Sequence, residues 1–531
     1  MGNPERGREA SEDVGSWQTR RAFLKRAGVG ALLFGAGGVA SSVLTQELRP
    51  KTPPRVVFPP AAPLRLHSVT IVDPLDGSKT PDMSIRIANG LIESIVPADQ
   101  APRETSEMII DGAARFAVPG YNNMHVHTMQ LDDPELAFAS FLVEGVTGIR
   151  QMAGSLEMLR NRAEQRLPLD QHAPRLLQMP GALLLPYNAG TPQEARRQIA
   201  LQWDEGADFI KLIQTEREVF FAAVSAAHRQ GLRIAGHLPP SIKMSEAAIS
   251  GFDCVEHLGT SSNLWIECSR NADQLWREKD KSIAMPAWIG PKAGEFIANH
   301  FTSWIIRHAL NVGPKELDLL DRALDTYDDG RAQALGQLLM HKSTWQSPTL
   351  VGTRKKYRLD DPIYRTDPWL AAMSDADRKL HLEMVDEFRH RSKRYIEVYH
   401  RYYEASLHTV GLWKAAGVKF LSGTDESVRA PGQSLQLEFE ELGKAGLSPL
   451  DILRSTTIDP ASYLGRTDTM GRVAERMNAD VLLLDADPLA AVENLRAVSL
   501  VVRGGHAFTT AELVARLTKL AGRPVPPVTL N

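Results

Sequence analysis

Two histidines two positions apart, His125 and His127, close the stretch Val118-Pro119-Gly120-Tyr121-Asn122-Asn123-Met124-His125-Val126-His127. In a β-strand an i, i+2 pair projects to one face, so both imidazoles reach the same space. Such a pair fits a metal site, and it fits equally an ordinary inward-facing core pair. Four more residues able to do chemistry end short apolar runs further along: Lys211 in GADFIKL, His237 in GHLP, His257 in VEHLG and Asp425 in SGTD. One histidine at a strand end is usually a core or capping residue. Four histidines, a lysine and an aspartate at the ends of five runs form a far more specific signal.

The elements that must position these residues follow from the hydrophobic pattern. Besides the histidine stretch, short apolar runs recur at 145–150, 175–179, 208–213, 233–237, 254–257, 346–351 and 418–425, with helical patterns such as 218–230 and 245–250 between them. Strands alternating with helices predict a parallel sheet. Eight such units predict an α/β chain built as a (β/α)8 TIM-like barrel, whose active sites lie at the C-terminal ends of the strands. The spacing is uneven, since 168 positions separate His257 from Asp425. Roughly 100 residues are therefore inserted there, placed at about 261–344 and 354–410. Residues 314–337 and 374–412 read as charged helices, either a lid over the barrel mouth or an outer decoration.

The flanks differ. Residues 66–72, 84–87, 91–96 and 108–111 read as strands, with Asp76-Gly77 and Asn89-Gly90 as turns. After Asp425, residues 437–445 and 449–456 read as helices, and 480–485 and 497–503 return to strands before Gly504-Gly505. The expected organisation is a barrel, 119–469, inserted in a small β-sandwich formed by 64–118 and 470–525.

The 531 residues carry a net charge of −3, which gives no argument for a nucleic-acid partner. Two cysteines, Cys254 and Cys268, exclude a zinc-finger cluster or a disulfide framework and permit one disulfide without demanding it. At the N-terminus, Thr19-Arg20-Arg21-Ala22-Phe23-Leu24-Lys25 precedes a Gly/Ala-rich apolar run, 27–44, with Gly38-Val39-Ala40 as a small-residue cleavage site. This resembles a twin-arginine export signal (residues 1–45), followed by a proline-rich linker (46–63). It implies the twin-arginine machinery as a partner and an exported, periplasmic protein, or one anchored to the membrane by an uncleaved signal. A GxGxxA match at 35–40 follows no strand and carries nothing.

The motifs PGYNNMHVH, GADFIKL, GHLP, VEHLG and SGTD, supported by AGLSPLDILRSTTIDPASYLG and NADVLLLDADPL, resemble the amidohydrolase superfamily and its imidazolonepropionase/prolidase-like branch, over about 64–508. The resemblance implies two divalent metal ions, with zinc the expected metal. His125, His127 and Asp425 would hold one and His237 and His257 the other, bridged by Lys211 carboxylated with CO2. The chemistry agrees: imidazole and carboxylate suit zinc. A lysine is a cation near neutral pH, but its carbamate is an anionic two-oxygen ligand able to span metals about 3.5–4 Å apart. The alternative for Lys211 is a salt-bridged barrel lysine.

The activity implied is hydrolysis of an amide-type C–N bond by a metal-bound hydroxide. Asp425 would take the attacking proton and pass it to the leaving nitrogen. The substrate would be a small amide, cyclic amide or dipeptide. A prolidase-like dipeptidase is the alternative, although no clamp for peptide termini is evident. A non-catalytic binding protein would have lost a ligand, and Lys211 argues against a single-metal deaminase-like site. The chain departs from the pattern at Asn123, where Asp is common, at Glu475-Arg476 in a remote turn, and at Gln436, where His is frequent. Arg150 and Tyr187 could touch substrate or make structural hydrogen bonds. His341 and His408 fall on helical patterns away from the constellation.

Overall fold

In chain order the strands are β1 (Leu64–Val72), β2 (Lys79–Ala88), β3 (Leu91–Pro97), β4 (Met108–Asp111), β5 (Phe116–Pro119), β6 (Tyr121–Val126), β7 (Val146–Gln151), β8 (Arg175–Gln178), β9 (Phe209–Leu212), β10 (Arg233–Gly236), β11 (Cys254–Glu256), β12 (Trp345–Ser347), β13 (Val481–Leu484), β14 (Val498–Arg503) and β15 (His506–Thr509). This computed structural model describes residues 56, 58–102, 107–131, 134–259, 261–282, 313–425 and 434–526. The export-signal expectation therefore lies outside the described residues, as does most of the linker before residue 56. No helix among the described residues is long and apolar enough to cross a membrane.

The terminal segments meet in one eight-stranded sheet, ordered β15-β14-β13-β5-β1-β2-β3, with β4 beside β1. Antiparallel pairing of β5 with β13, Ala117 opposite Leu483 and Val118 opposite Leu482, joins the two ends of the chain. The hairpin turns Asn89-Gly90 and Gly504-Gly505 have positive φ at both residues, the geometry that matches strand twist. Leu64, Leu66, Ile85, Ile87, Val481 and Leu483 lie in an apolar core of this sheet's own.

The histidine stretch is two strands, not one run. β5 belongs to the terminal sheet and β6 to the parallel strands, and the chain switches at Gly120. A Cβ there would lie 2.0 Å from Thr147 Oγ1 on β7, so only glycine permits the passage. The run at 346–351 is also divided: β12 stops at Ser347, Thr349 is left-handed (φ +47°), and a helix, Leu350–Tyr357, begins. The helical patterns 314–337 and 374–412 are each two helices, Pro314–Asp325 with Asp329–His341 and Asp375–Arg389 with Lys393–Ala415. Asp328, Ser374 and Ser392 cap their following helices through side-chain acceptors, which fixes the breaks.

Two parallel sheets hold the remaining strands, β6-β7-β8 and β9-β10-β11-β12. Backbone hydrogen bonds link their edges. Asp208 N donates to Met179 O and Leu184 N to Lys211 O between β8 and β9. Gln346 N donates to Lys419 O, joining β12 to the run at 418–425. Met124 N donates to Ser422 O, and Asp425 N to His125 O, joining that run back to β6. One buried cluster draws Met124, Met152, Leu177, Phe209, Ala235, Cys254, Trp345 and Leu421 from the eight successive runs, with Tyr463 packed among them. The fold is mixed α/β, with helices such as Pro192–Asp204 and Arg217–Arg229 between strands.

Gly236 ends β10 with φ +143°, and a Cβ on it would lie 1.9 Å from the Leu212 carbonyl oxygen of β9. Gly236→Ala is therefore expected to cost at least about 2 kcal/mol in a denaturant melt, from the conformation and the overlap together. It should also displace the neighbouring His237. A variant with wild-type stability would show that this approach is not needed.

Candidate metal centre

Five of the six sequence-derived residues lie at the C-terminal ends of parallel strands; the run at 418–425, expected as a strand, makes only a single bridge among the described residues, Phe420 to Gln346, and Asp425 follows that bridge. His125 is in β6 with His127 just beyond it, Lys211 is in β9, His237 and His257 directly follow β10 and β11, and Asp425 ends the run at 418–425. His125 Nε2 and His127 Nε2 each lie 3.3 Å from Asp425 Oδ1, and His257 Nε2 lies 3.7 Å from Oδ2. The rings of His237 and His257 are 5.0 Å apart, centre to centre, and those of His125 and His257 4.6 Å. His125, His257 and Asp425 each bring a ligand atom within 4.8 Å of the others. This tight trio takes one histidine from each of the two expected ligand sets.

The hydrogen bonds around the rings fix which nitrogen is available. His125 Nδ1 donates to Glu256 Oε2 at 2.7 Å. The single hydroxyl proton of Thr349 goes to Pro348 O at 2.8 Å, so its Oγ1 must accept from His257 Nδ1 at 2.6 Å. With Nδ1 the donor on each ring, Nε2 of both His125 and His257 faces Asp425. His125 Nε2 is buried and has no hydrogen-bond partner among the described residues, and neither has Lys211 Nζ. Two imidazole nitrogens beside a carboxylate fit a cation lying among them, and imidazole nitrogen with carboxylate oxygen is a donor set for a divalent ion.

Three strained backbones aim these groups. His257, Leu258 and Asp425 all have φ between +54° and +57°. Consecutive residues of a strand face opposite ways, yet Glu256 and His257 both serve the centre, because the left-handed turn at His257 breaks the alternation. Such conformations cost of order 1–3 kcal/mol each and persist where the surroundings enforce them.

Burial drives the imidazoles of His237 and His257 well below their ordinary pKa and lowers that of His127, which keeps them in the metal-binding form at neutral pH. Burial also pulls the Lys211 ammonium down to about 8, against the pull of Glu256 and Asp425. Burial alone would raise Asp425, but the positive charge of Lys356 opposes it and the carboxyl is held well below its usual range. Glu256 is held low in the same way, chiefly by Arg150.

Residues 405–508 match the family model described as "Amidohydrolase family". That segment contains Asp425, the residue on which the imidazoles converge. The matched segment spans about a fifth of the chain. Among solved structures the chain is similar to a bottromycin amidohydrolase (20% identity, TM-score 0.61, covering 88% of this chain and 93% of the other). It is also similar to a Xaa-Pro dipeptidase with bound methionine in the active site (17%, 0.54, 84% and 100%) and to A. niger ochratoxinase (15%, 0.52, 85% and 96%). At these identities the likeness is one of fold. No curated protein matches the chain in sequence.

Within this site, three contributors were not evident from the sequence. Glu256 orients His125 and Thr349 orients His257, while Lys356, in the helix Leu350–Tyr357, places its Nζ 3.4 Å from Asp425 Oδ2. A carboxylate directly before His257 in an otherwise apolar strand was the available signal for Glu256. Nothing local marks the other two. Arg150 proves structural: it is buried, donates from Nη2 to Glu256 Oε1 and from Nε to Met124 O, both at 2.6 Å, and packs over Tyr463. Asn123 also ties strands together, donating to Thr424 Oγ1 and accepting from Thr424 N and His125 N. Gln436 is buried in the helix Ser434–Lys444, Tyr187 is half-buried, and His341 and His408 are exposed on helices. Cys254 and Cys268 are both free and buried.

Thr349→Val keeps the shape of the side chain and removes the acceptor for His257. Metal affinity should fall about 10–100-fold in a competition titration against a chelator, while Thr349→Ser retains it. Equal affinity for Val and wild type would contradict the role given to this hydroxyl.

Proposed function

We propose that this chain is a metal-dependent hydrolase of an amide-type C–N bond. The observation that supports it most is the convergence of His125, His127 and His257 on Asp425, with Nε2 of His125 and His257 facing the carboxylate. A bound divalent ion lowers the pKa of water and polarises a carbonyl. His125, His127, His237, His257 and Asp425 would hold it. Asp425, ionised at neutral pH, accepts the proton of the attacking water and delivers it to the leaving nitrogen as the C–N bond breaks, so one amide and one water give one acid and one amine.

The finer reading is two ions, with zinc favoured by the nitrogen and oxygen donors. Lys211 would serve as their shared ligand as a carbamate, its neutral amine forming an N–C bond to CO2 with release of one proton. A buried Nζ without a partner suits that modification better than a permanent ammonium. We read the linked parallel strands as a (β/α)8 barrel and the terminal sheet as the small β-sandwich domain around it. The substrates are small amides, cyclic amides or dipeptides. The N-terminal Arg20-Arg21 motif directs export to the periplasm. For that, Arg20→Lys with Arg21→Lys should hold the protein in the cytoplasm, as read by cell fractionation. Unchanged export would refute the signal.

Metal content and turnover measured side by side test the site. Asp425→Asn should retain much of the metal yet lose hydrolysis by at least about 10²-fold. Lys211→Ala should lose metal as well as rate. Wild-type protein reconstituted without CO2 should load poorly and recover with bicarbonate. Because Lys211 loses its proton near 8 rather than 10.5, the reactive amine grows on going from about pH 6.5 to about pH 8.5, and recovery should quicken in that direction. Near wild-type turnover by Asp425→Asn would refute the mechanism.

A further inference from the structure

Lys356 has no part in the ligand set, yet its ammonium reaches the proton-carrying carboxylate. Three cations lie at this centre. Arg150 is fully buried and tied to Glu256, and Lys211 is fully buried. Lys356 differs: about a third of its side chain is open to solvent, while Asp425 and the histidines lie deeper. Lys356 is the more solvent-exposed partner of its pair with Asp425.

This lysine sits on a fixed element. At the start of the helix Leu350–Tyr357, Val351 N donates to the buried Glu438 Oε2 at 2.8 Å. One turn on, Arg354 pairs with Glu441 at 3.2 Å. At the end, Tyr357 stacks on Tyr399 of the helix Lys393–Ala415, with ring centres 4.8 Å apart and planes within 5°. Lys356 is bracketed by these anchors. An ammonium offers three donors, and one directed at Asp425 leaves others for an incoming acceptor.

We infer that Lys356 is the specificity residue that binds a free carboxylate next to the scissile bond, so that the preferred substrates are N-acyl α-amino acids, dipeptides included, rather than neutral amides. This rests on the hydrolase reading above. The reach agrees. Asp425 must approach the leaving nitrogen, and in an α-amino acid the carboxylate carbon lies roughly 2.5 Å from that nitrogen, two bonds away. A cation 3.4 Å from Asp425 Oδ2 is therefore placed to meet it. Charge-assisted pairing in a partly desolvated site gives the discrimination.

The test uses the metal-loaded full chain and its Lys356→Gln and Lys356→Arg variants. Binding of 3-phenylpropanoate and of 3-phenylpropanamide is measured by calorimetry, and hydrolysis of N-acetyl-L-phenylalanine and of N-acetyl-L-phenylalaninamide is followed by amine release. Wild type should prefer the acid of each pair. Lys356→Gln should lower the acid-over-amide preference at least about tenfold in binding, and Lys356→Arg should restore most of it. An unchanged preference in Lys356→Gln overturns the inference, whatever happens to rate. A fall in kcat on both substrates with the preference intact would assign Lys356 to Asp425 alone, which also overturns it. If wild type hydrolyses neither compound while the binding preference still depends on Lys356, the hydrolase reading fails and the carboxylate site stands.

Discussion

A fully buried carboxylate cannot stay ionised without partners, and the partners of Glu256 build this site. Arg150 supplies the opposing charge from β7, and His125 supplies a ring N–H from β6. Removing one member of such a buried set costs about 3–5 kcal/mol, because the rest are left uncompensated. The triad joins β11 of one parallel sheet to the paired strands β6 and β7 of the other. It also orients His125: with Nδ1 committed to Glu256, Nε2 is turned to Asp425. Thr349 does the same for His257 through a hydroxyl whose own proton is committed to Pro348.

Close packing holds the strained ends in place. Gly423 lets the final run lie against β6 and β12, since a Cβ there would come within 2.7 Å of His125 Cβ and of Ser347 Oγ. Asp425, two residues later, can then turn left-handed and bring both oxygens to the histidines, with its own N–H on His125 O. Gly236 gives β10 the same closeness to β9, which delivers His237 beside His257. Backbone conformations that would relax in an open loop are fixed here by contacts on every side.

Much of this was legible in the sequence. The periods of apolar residues gave the strands and most helices, because burial on both faces leaves short continuous runs that turn residues punctuate. The six chemistry-bearing residues stood out because each ends such a run. What escaped depends on contacts distant in sequence. The Val118–His127 run hid a change of sheet at Gly120, which only the packing of Thr147 reveals. Thr349 and Lys356 stand 92 and 69 positions from the groups they serve, His257 and Asp425. Arg150 carried an ambiguous signal until Glu256 was seen beside it.

The central claim is that the imidazole nitrogens facing Asp425 mark the seat of a divalent cation. Anomalous diffraction at the zinc edge from crystals of the zinc-loaded protein tests it most directly. The account predicts an anomalous peak bonded to His125 Nε2 and to an Asp425 oxygen, at about 2.0–2.2 Å. A fully loaded crystal with its zinc elsewhere, and His125 Nε2 still unbonded against Asp425, would contradict it.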